Sequence, residues 1–359
     1  MGARHAFIDN LKAVAIVLVV VGHAPAMPRA VQVLIFACHV PLFFFAAGFL
    51  AGAAPQRTLG AHAARAVHRF VLPYAGFFVL SWAYWLLTRA HGNSAERFVG
   101  LAWWDPWVEF LLGHGSYVNP TLWFFPCIAA TALAHRALRG RMPGLPLLAT
   151  CLGPAAAVAL LWPAAGPLLP WRIDTAAVAL AFFGLGHLCH AHGLGRLAGM
   201  PAGRRWRWAL LAGAAYAGLA LRNPGVDVAA MRFGTTPALF LPAACLGIAT
   251  VVLGALGHAG NAVTRWLAAN TLYIFPLHWL MFRAFTGAGI VLFDLPRDFK
   301  DEAWPIGVAY ALLALALCVP AAALLRRLPA LAGAQWRGSP PHGASAGASP
   351  QQPSASKEA

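Results

Sequence analysis

Charge is scarce in this chain: only 10% of its 359 residues are Asp, Glu, Lys or Arg, and only 11 are acidic. A soluble domain carries about a quarter of its residues as charged groups, so a water-exposed globule is excluded. With 60% hydrophobic residues and a mean hydropathy of +0.65, the chain belongs in a membrane. Closely spaced cysteine pairs are also missing. Cys38, Cys127, Cys151, Cys189, Cys245 and Cys318 are scattered through apolar segments with no Cys-x-x-Cys spacing, which argues against a zinc ribbon or dithiol redox motif and fits small buried hydrophobes. No repeat of fixed period occurs, which excludes solenoids and propellers. The formal charge of +15 comes from Lys and Arg residues dispersed between apolar runs, not gathered on a face, so nucleic acid is not an expected partner.

What the chain does have is long apolar stretches. Windows of about 20 residues broken by Pro, Gly and Arg clusters predict an all-α polytopic protein with about ten spans. They lie near 11–27, 31–52, 70–88, 119–135, 145–163, 175–191, 207–222, 237–256, 266–284 and 304–325. Placing both termini in the cytoplasm puts the basic residues there in an excess of roughly two to one, as the positive-inside rule prefers. Two far-side pieces result, 89–118 with Trp103, Trp104, Asp105, Trp107 and Glu109, and 285–303 with Asp294, Asp298, Asp301 and Glu302. Tryptophans there serve as an interfacial belt or, beside carboxylates, as a sugar platform; the belt is the better reading. The membrane domain is expected over 1–328. Residues 329–359, rich in Pro, Ser, Ala and Gly, are expected to form a disordered cytoplasmic tail. Arg4, Lys12 and the later Ala24-Pro25-Ala26 imitate a signal peptide, but a cleaved segment has no need of the polar residues described next.

Inside the first span, Asp9, Lys12 and His23 form one polar stripe. Eleven residues separate Lys12 from His23, which at about 100° per residue returns almost to the same helix face and at about 1.5 Å per residue puts His23 roughly 16 Å deeper. An ionisable side chain at that depth is expensive and points to a functional site. His39 opens the second span after a short Pro-containing turn, so a hairpin brings it near His23. His278 lies about a dozen residues into the ninth span, after Asn270 and Tyr273. Taken singly, each histidine suits an interfacial position; the pair above a lysine shifts the balance toward chemistry. Imidazole titrates near neutrality and can take a proton from a hydroxyl that attacks an acyl carbon. Arg65, His68 and Arg69 beside Lys12 are suited to phosphates, the handle of coenzyme A, although for any one arginine anchoring to anionic lipid and setting topology is the better reading. Asp9, three residues before Lys12, is expected to orient its ammonium. His187, Cys189, His190 and His192 have the composition of a metal site, but alternate helical positions diverge, so no metal site is expected.

The strings FIDNLKAVAIVLVVVGHA, CHVPLFFFAAGF, RFVLPY, LWFFP and TLYIFPLH fall in order over residues 4–325. Together they resemble the integral-membrane acyltransferase 3 family, particularly its branch related to fucose 4-O-acetylases. The resemblance implies a ten-helix enzyme that moves an acyl group, usually acetyl, from cytoplasmic acyl-CoA to a hydroxyl of a lipid-linked or surface carbohydrate. It implies no permanently bound cofactor, a bacterial-type inner membrane location, and polysaccharide-assembly proteins as candidate partners. It aligns Lys12 with the family's basic residue, His23 with its essential histidine, His39 and Pro41 with its His-x-Pro pair, and His278 with its late histidine. Two departures stand out. Ala47-Gly48-Phe49 replaces the family's Ser-Gly-Phe, and Arg65 and Arg69 are four apart where the family spaces its arginines by three. Direct attack on the thioester and an acyl-histidine relay both remain open. The competing class is a transporter or flippase for a glycan or small metabolite with histidine proton relays, although few carboxylates and no repeated halves support it.

Overall fold

A computed structural model describes residues 3–55, 58–89, 100–115, 117–142, 144–163, 166–328 and 331. The elements in order are α1 (Ala3–His23), α2 (Arg29–Phe36), α3 (His39–Ala53), α4 (Leu59–Ala66), a π turn (Val67–Val71), α5 (Leu72–Thr88), α6 (Asp105–Leu112), α7 (Phe124–Arg139), α8 (Gly144–Leu161) and α9 (Ile173–His192). Then follow α10 (Ala202–Leu221), a short antiparallel hairpin of β1 (Val226–Asp227) and β2 (Arg232–Phe233), α11 (Phe240–Ala255), α12 (Ala262–Phe293) and α13 (Trp304–Leu325).

Eight stretches among the described residues are long and apolar enough to cross a membrane, and the chain is a multi-pass membrane protein. The two further spans expected at 119–135 and 207–222 are helices of a different kind. α7 has only 16 residues, and α10 opens with Arg204, Arg205 and Arg207 in its first turns. The expected span at 31–52 is broken at Ala37 and Cys38 into α2 and α3. The far-side piece expected from 285 begins later, because α12 stays helical to Phe293. Residues 90–99 and 116 of the other far-side piece, and the tail apart from Leu331, lie outside the described residues. Leu331 itself, assigned to the disordered tail by composition, is buried, and its carbonyl accepts a hydrogen bond from the Tyr273 hydroxyl at 2.8 Å.

α1 is the central helix. Leu11, Ala15, Ile16, Val19 and Val20 are fully enclosed, a helical stripe packed between α3, α11, α12 and α13. α12 starts at a reciprocal cap: Thr264 N–H donates to Asn261 Oδ1 and Asn261 N–H to Thr264 Oγ1, both at 2.9 Å. The outer faces of α8, α10 and α13 expose Leu160, Leu161, Leu210, Leu211, Leu312 and Leu313, as lipid contact requires.

α3 and α9 make the most extensive helix contact. It depends on two glycines. A Cβ on Gly48 would lie 1.9 Å from the Phe183 carbonyl oxygen, and one on Gly186 would lie 2.0 Å from that of Phe45. Backbones this close tolerate only hydrogen at the crossing. Gly186→Ala should therefore destabilise the protein by about 1–3 kcal/mol or more, seen as a lower midpoint of thermal unfolding in detergent. Gly218→Ala on α10, where no atom lies within 4 Å, should leave that midpoint unchanged.

Candidate active site

Two groups of polar residues sit at opposite ends of the α1–α12 contact. At one end, Lys12 Nζ donates to the Ala268 carbonyl. At the other, the His23 and His278 rings lie 5.3 Å apart between centroids. Lys12 precedes His23 by eleven residues and Ala268 precedes His278 by ten, so the helices run parallel and nearly in register, and both rise by about 16 Å between the two ends.

The histidine group has three members. The short turn after α1 and the break at Ala37 and Cys38 return the chain so that His39 faces His23 at 6.0 Å between centroids. Phe36 at 5.4 Å and Trp279 at 6.3 Å complete the ring of aromatics around His23. His39 and His278 are buried at 4% and 0% exposure, whereas His23 is only partly covered, so His23 is the member open to a substrate. All three rings are held alike. Nδ1 of His23 contacts the Val19 carbonyl at 2.8 Å, that of His39 the Ile35 carbonyl at 2.8 Å, and that of His278 the Ile274 carbonyl at 3.2 Å. A carbonyl oxygen only accepts, so each Nδ1 carries the hydrogen and each neutral ring keeps its lone pair on Nε2. Nε2 of His278 is buried with no hydrogen-bond partner. Rings with bare Nε2 atoms cannot bond one another; they call for an O–H or N–H donor from outside.

His278 is braced by the chain ahead of α7. Asn119 Nδ2 donates to the Pro276 carbonyl at 3.0 Å and to Ser81 Oγ at 3.1 Å, while Asn119 Oδ1 accepts from Thr121 Oγ1 at 2.7 Å. Arg283, beyond His278, donates to the Val118 carbonyl at 3.3 Å. Pro276 lies inside α12, where its missing N–H frees the Leu272 carbonyl; the Asn119 bond goes instead to the Pro276 carbonyl, whose oxygen has two lone pairs. Neither Asn119 nor Arg283 carries a motif that sequence reasoning could have isolated.

At the Lys12 end lies a cavity of about 350 Å³, within the size range of ligand sites, and its wall includes Lys12, Arg65, Arg69 and His62. Both arginines reach it despite their four-residue spacing. Leu72 N–H bonds the Val67 carbonyl five residues back, a π turn; Pro73 has no N–H to offer the Arg69 carbonyl, so the turn before it loosens. His68, expected beside the arginines, is instead exposed and outside the wall, and His62 takes its place. No carboxylate lines the cavity among the described residues. Lys12, 9% exposed, lies in the fields of both Arg69 and Asp9, so Asp9 balances part of a cationic wall. Cations gathered in a half-enclosed apolar pocket repel one another and favour an anionic ligand.

Phe43 and Phe124 form part of the cavity wall, and Phe275 packs on them at 6.1 and 4.7 Å. Phe275 in turn lies 6.2 Å from His278. A partition of three phenylalanines therefore separates the basic cavity from the histidines.

His187 packs on His135 at 4.9 Å and His190 on Phe49 at 5.1 Å; no cluster of three or more metal-ligating side chains exists among the described residues. Trp103 and Trp104 are exposed, while Asp105 accepts from Ala102 N–H at 2.7 Å and Glu109 pairs with His114 at 3.4 Å, so both carboxylates are engaged in local structure.

No curated protein and no solved structure matches the chain. Residues 5–323 match the acyltransferase 3 family, an acyltransferase domain. That stretch holds the basic cavity, the phenylalanine partition and all three histidines, and the chain belongs to this family of membrane acyltransferases.

Proposed function

We propose that this membrane acyltransferase moves an acetyl group from acetyl-CoA to a hydroxyl of a lipid-linked or surface carbohydrate, as in the branch related to fucose 4-O-acetylases. The reading rests on one observation above all: a cationic cavity with no lining carboxylate among the described residues and a cluster of imidazoles stand at the two ends of one helix pair. The diphosphate of the donor binds Lys12, Arg65 and Arg69, and its thioester passes the phenylalanines toward His23. Nε2 of His23 takes the proton of the acceptor hydroxyl as that oxygen attacks the thioester carbon. The C–S bond breaks, the imidazolium returns the proton to the departing thiolate, and an ester and free coenzyme A result. His39 and His278 pack against the His23 ring and fix its position by aromatic contact. Asp9 is a positioning group for Lys12.

In this reading both termini are cytoplasmic, where the donor is made, and the histidines face the other side of a bacterial-type inner membrane. The acceptor arrives there on its lipid carrier, which makes polysaccharide-assembly proteins natural partners. Membrane lipid anchors exposed arginines such as Arg204 and Arg207.

His23→Ala should lower turnover by about 10²–10⁴-fold with little change in donor binding. The check is the acetyl content of surface glycans, by NMR, in a deletion strain complemented with wild type or with the variant at matched expression. An unchanged acetyl signal in the deletion strain would overturn the glycan acceptor, and membranes that consume no labelled acetyl-CoA would overturn acetyl transfer in favour of transport. Asp9→Asn should impair turnover less than His23→Ala and act mainly on the KM for acetyl-CoA; the reverse order would give Asp9 a direct chemical part.

A further inference from the structure

The basic cavity has a side lobe that the mechanism above does not use. Ala51, His62 and Phe183 belong to both walls, and beyond them a space of about 40 Å³ is lined by His135, Arg136 and Arg139. It lies at the Ala53 end of α3, opposite His39 and therefore roughly 20 Å from the histidine cluster. Arg136 and Arg139 come from the last turn of α7. Arg139 Nη1 donates to the Ala51 carbonyl at 3.3 Å, so its guanidinium is fixed over the end of α3. His135 is 2% exposed, wedged against Phe183 at 4.8 Å and His187 at 4.9 Å between centroids. Its Nε2 is buried and has no hydrogen-bond partner. No carboxylate lines the lobe among the described residues.

A buried imidazole nitrogen without a partner destabilises the fold unless a ligand supplies the partner. The space is large enough for roughly three waters, the scale of one phosphoryl group. Two guanidiniums form a donor set suited to a phosphomonoester, whose oxygens take several charge-assisted bonds at once, and His135 adds a further donor in the tautomer that carries its hydrogen on Nε2.

We propose that this lobe binds the 3′-phosphate of the acyl-CoA donor, an inference that rests on the donor reading above. In that donor the diphosphate continues directly from the pantetheine arm, so it follows the arm into the main cavity and meets Lys12, Arg65 and Arg69. The 3′-phosphate branches from the ribose further out. The lobe branches from the cavity in the same manner, at the end of α3 away from the histidines. Main cavity and lobe together thus read both phosphorylated parts of the nucleotide, and donors lacking the branch phosphate are disfavoured.

The test uses the full chain in nanodiscs and measures binding of coenzyme A and of 3′-dephospho-coenzyme A by calorimetry. Wild type should bind the dephospho compound about tenfold or more weakly. Arg136→Gln should weaken coenzyme A by a similar factor and leave the dephospho compound within about twofold. Equal affinity of wild type for the two compounds, or equal weakening of both by Arg136→Gln, would overturn the proposal while leaving the donor reading intact. Binding of neither compound would overturn the donor reading itself. A lipid headgroup is the rival source of phosphate. Retention of phosphatidylglycerol that depends on Arg136, with coenzyme A binding unaffected, would assign the lobe to lipid and overturn the proposal. Should Arg136→Gln fail to fold, the wild-type comparison of the two compounds decides alone.

Discussion

Everything at this site depends on α1 and α12 lying parallel and in register. α1 is surrounded by other helices and presents its apolar residues on every side but one stripe; on that stripe Lys12 and His23 are separated by three turns of helix. α12 offers a backbone carbonyl at the level of Lys12 and an imidazole at the level of His23. The bond from Lys12 to the Ala268 carbonyl is more than an anchor for one side chain. A one-residue slip of α12 would rotate Ala268 and His278 by about 100° and move them by about 1.5 Å, which would lose the Lys12 bond and turn His278 away from His23 together. The two chemical ends are thus set by a single packing relation, and the clasp of Asn119 and Arg283 on α12 holds it from outside.

The same relation explains how the bundle tolerates its polar residues. Each histidine satisfies its Nδ1 within its own chain segment, on a carbonyl four residues earlier. That arrangement requires no partner from another helix, so the imidazoles are carried into the bundle already half satisfied, and only Nε2 is left for an incoming group. At the other end Lys12 donates to the Ala268 carbonyl of another helix and Asp9 offsets part of its charge. Lys12, Arg65 and Arg69 share one wall in which no carboxylate takes part among the described residues, so its field favours an anion. One end is neutral, the other predominantly cationic.

Much of this was legible in the sequence where the signal is local. The Lys12–His23 stripe follows from helical periodicity, and the approach of His39 was expected from a hairpin, although α2 intervenes and the break at Ala37 and Cys38 makes the return. The match of α12 to α1 was not legible, because a contact across some 255 residues leaves no local trace. The exchange of His68 for His62 in the cavity wall shows a second limit. A periodicity argument assumes an unbroken α-helix, and the π turn before Pro73 shifts the faces on either side of it. Gly48 illustrates a third. In the sequence it is the middle of a motif whose neighbouring serine is replaced by Ala47; in the fold it is where α3 meets the backbone of α9 at Phe183, and small residues at 47 and 48 suit that crossing.

Between the two ends stand Phe43, Phe124 and Phe275, and their position makes the acyl-transfer reading a question of passage. A donor in the cavity and an acceptor at His23 meet only where the partition yields. Aromatic rings suit this role, since they seal apolar space against water yet open by rotation about χ1 and χ2 without breaking a hydrogen bond. Two of the three come from helix starts, Phe43 from the first turns of α3 and Phe124 from the first residue of α7, and the third lies directly before Pro276. A thioester is an uncharged group and crosses such a partition at far lower cost than the diphosphate behind it. In the proposed reading the labour is divided accordingly: the cations would stop the charged part of the donor at the cavity, and the phenylalanines would admit only the arm that carries the acyl group.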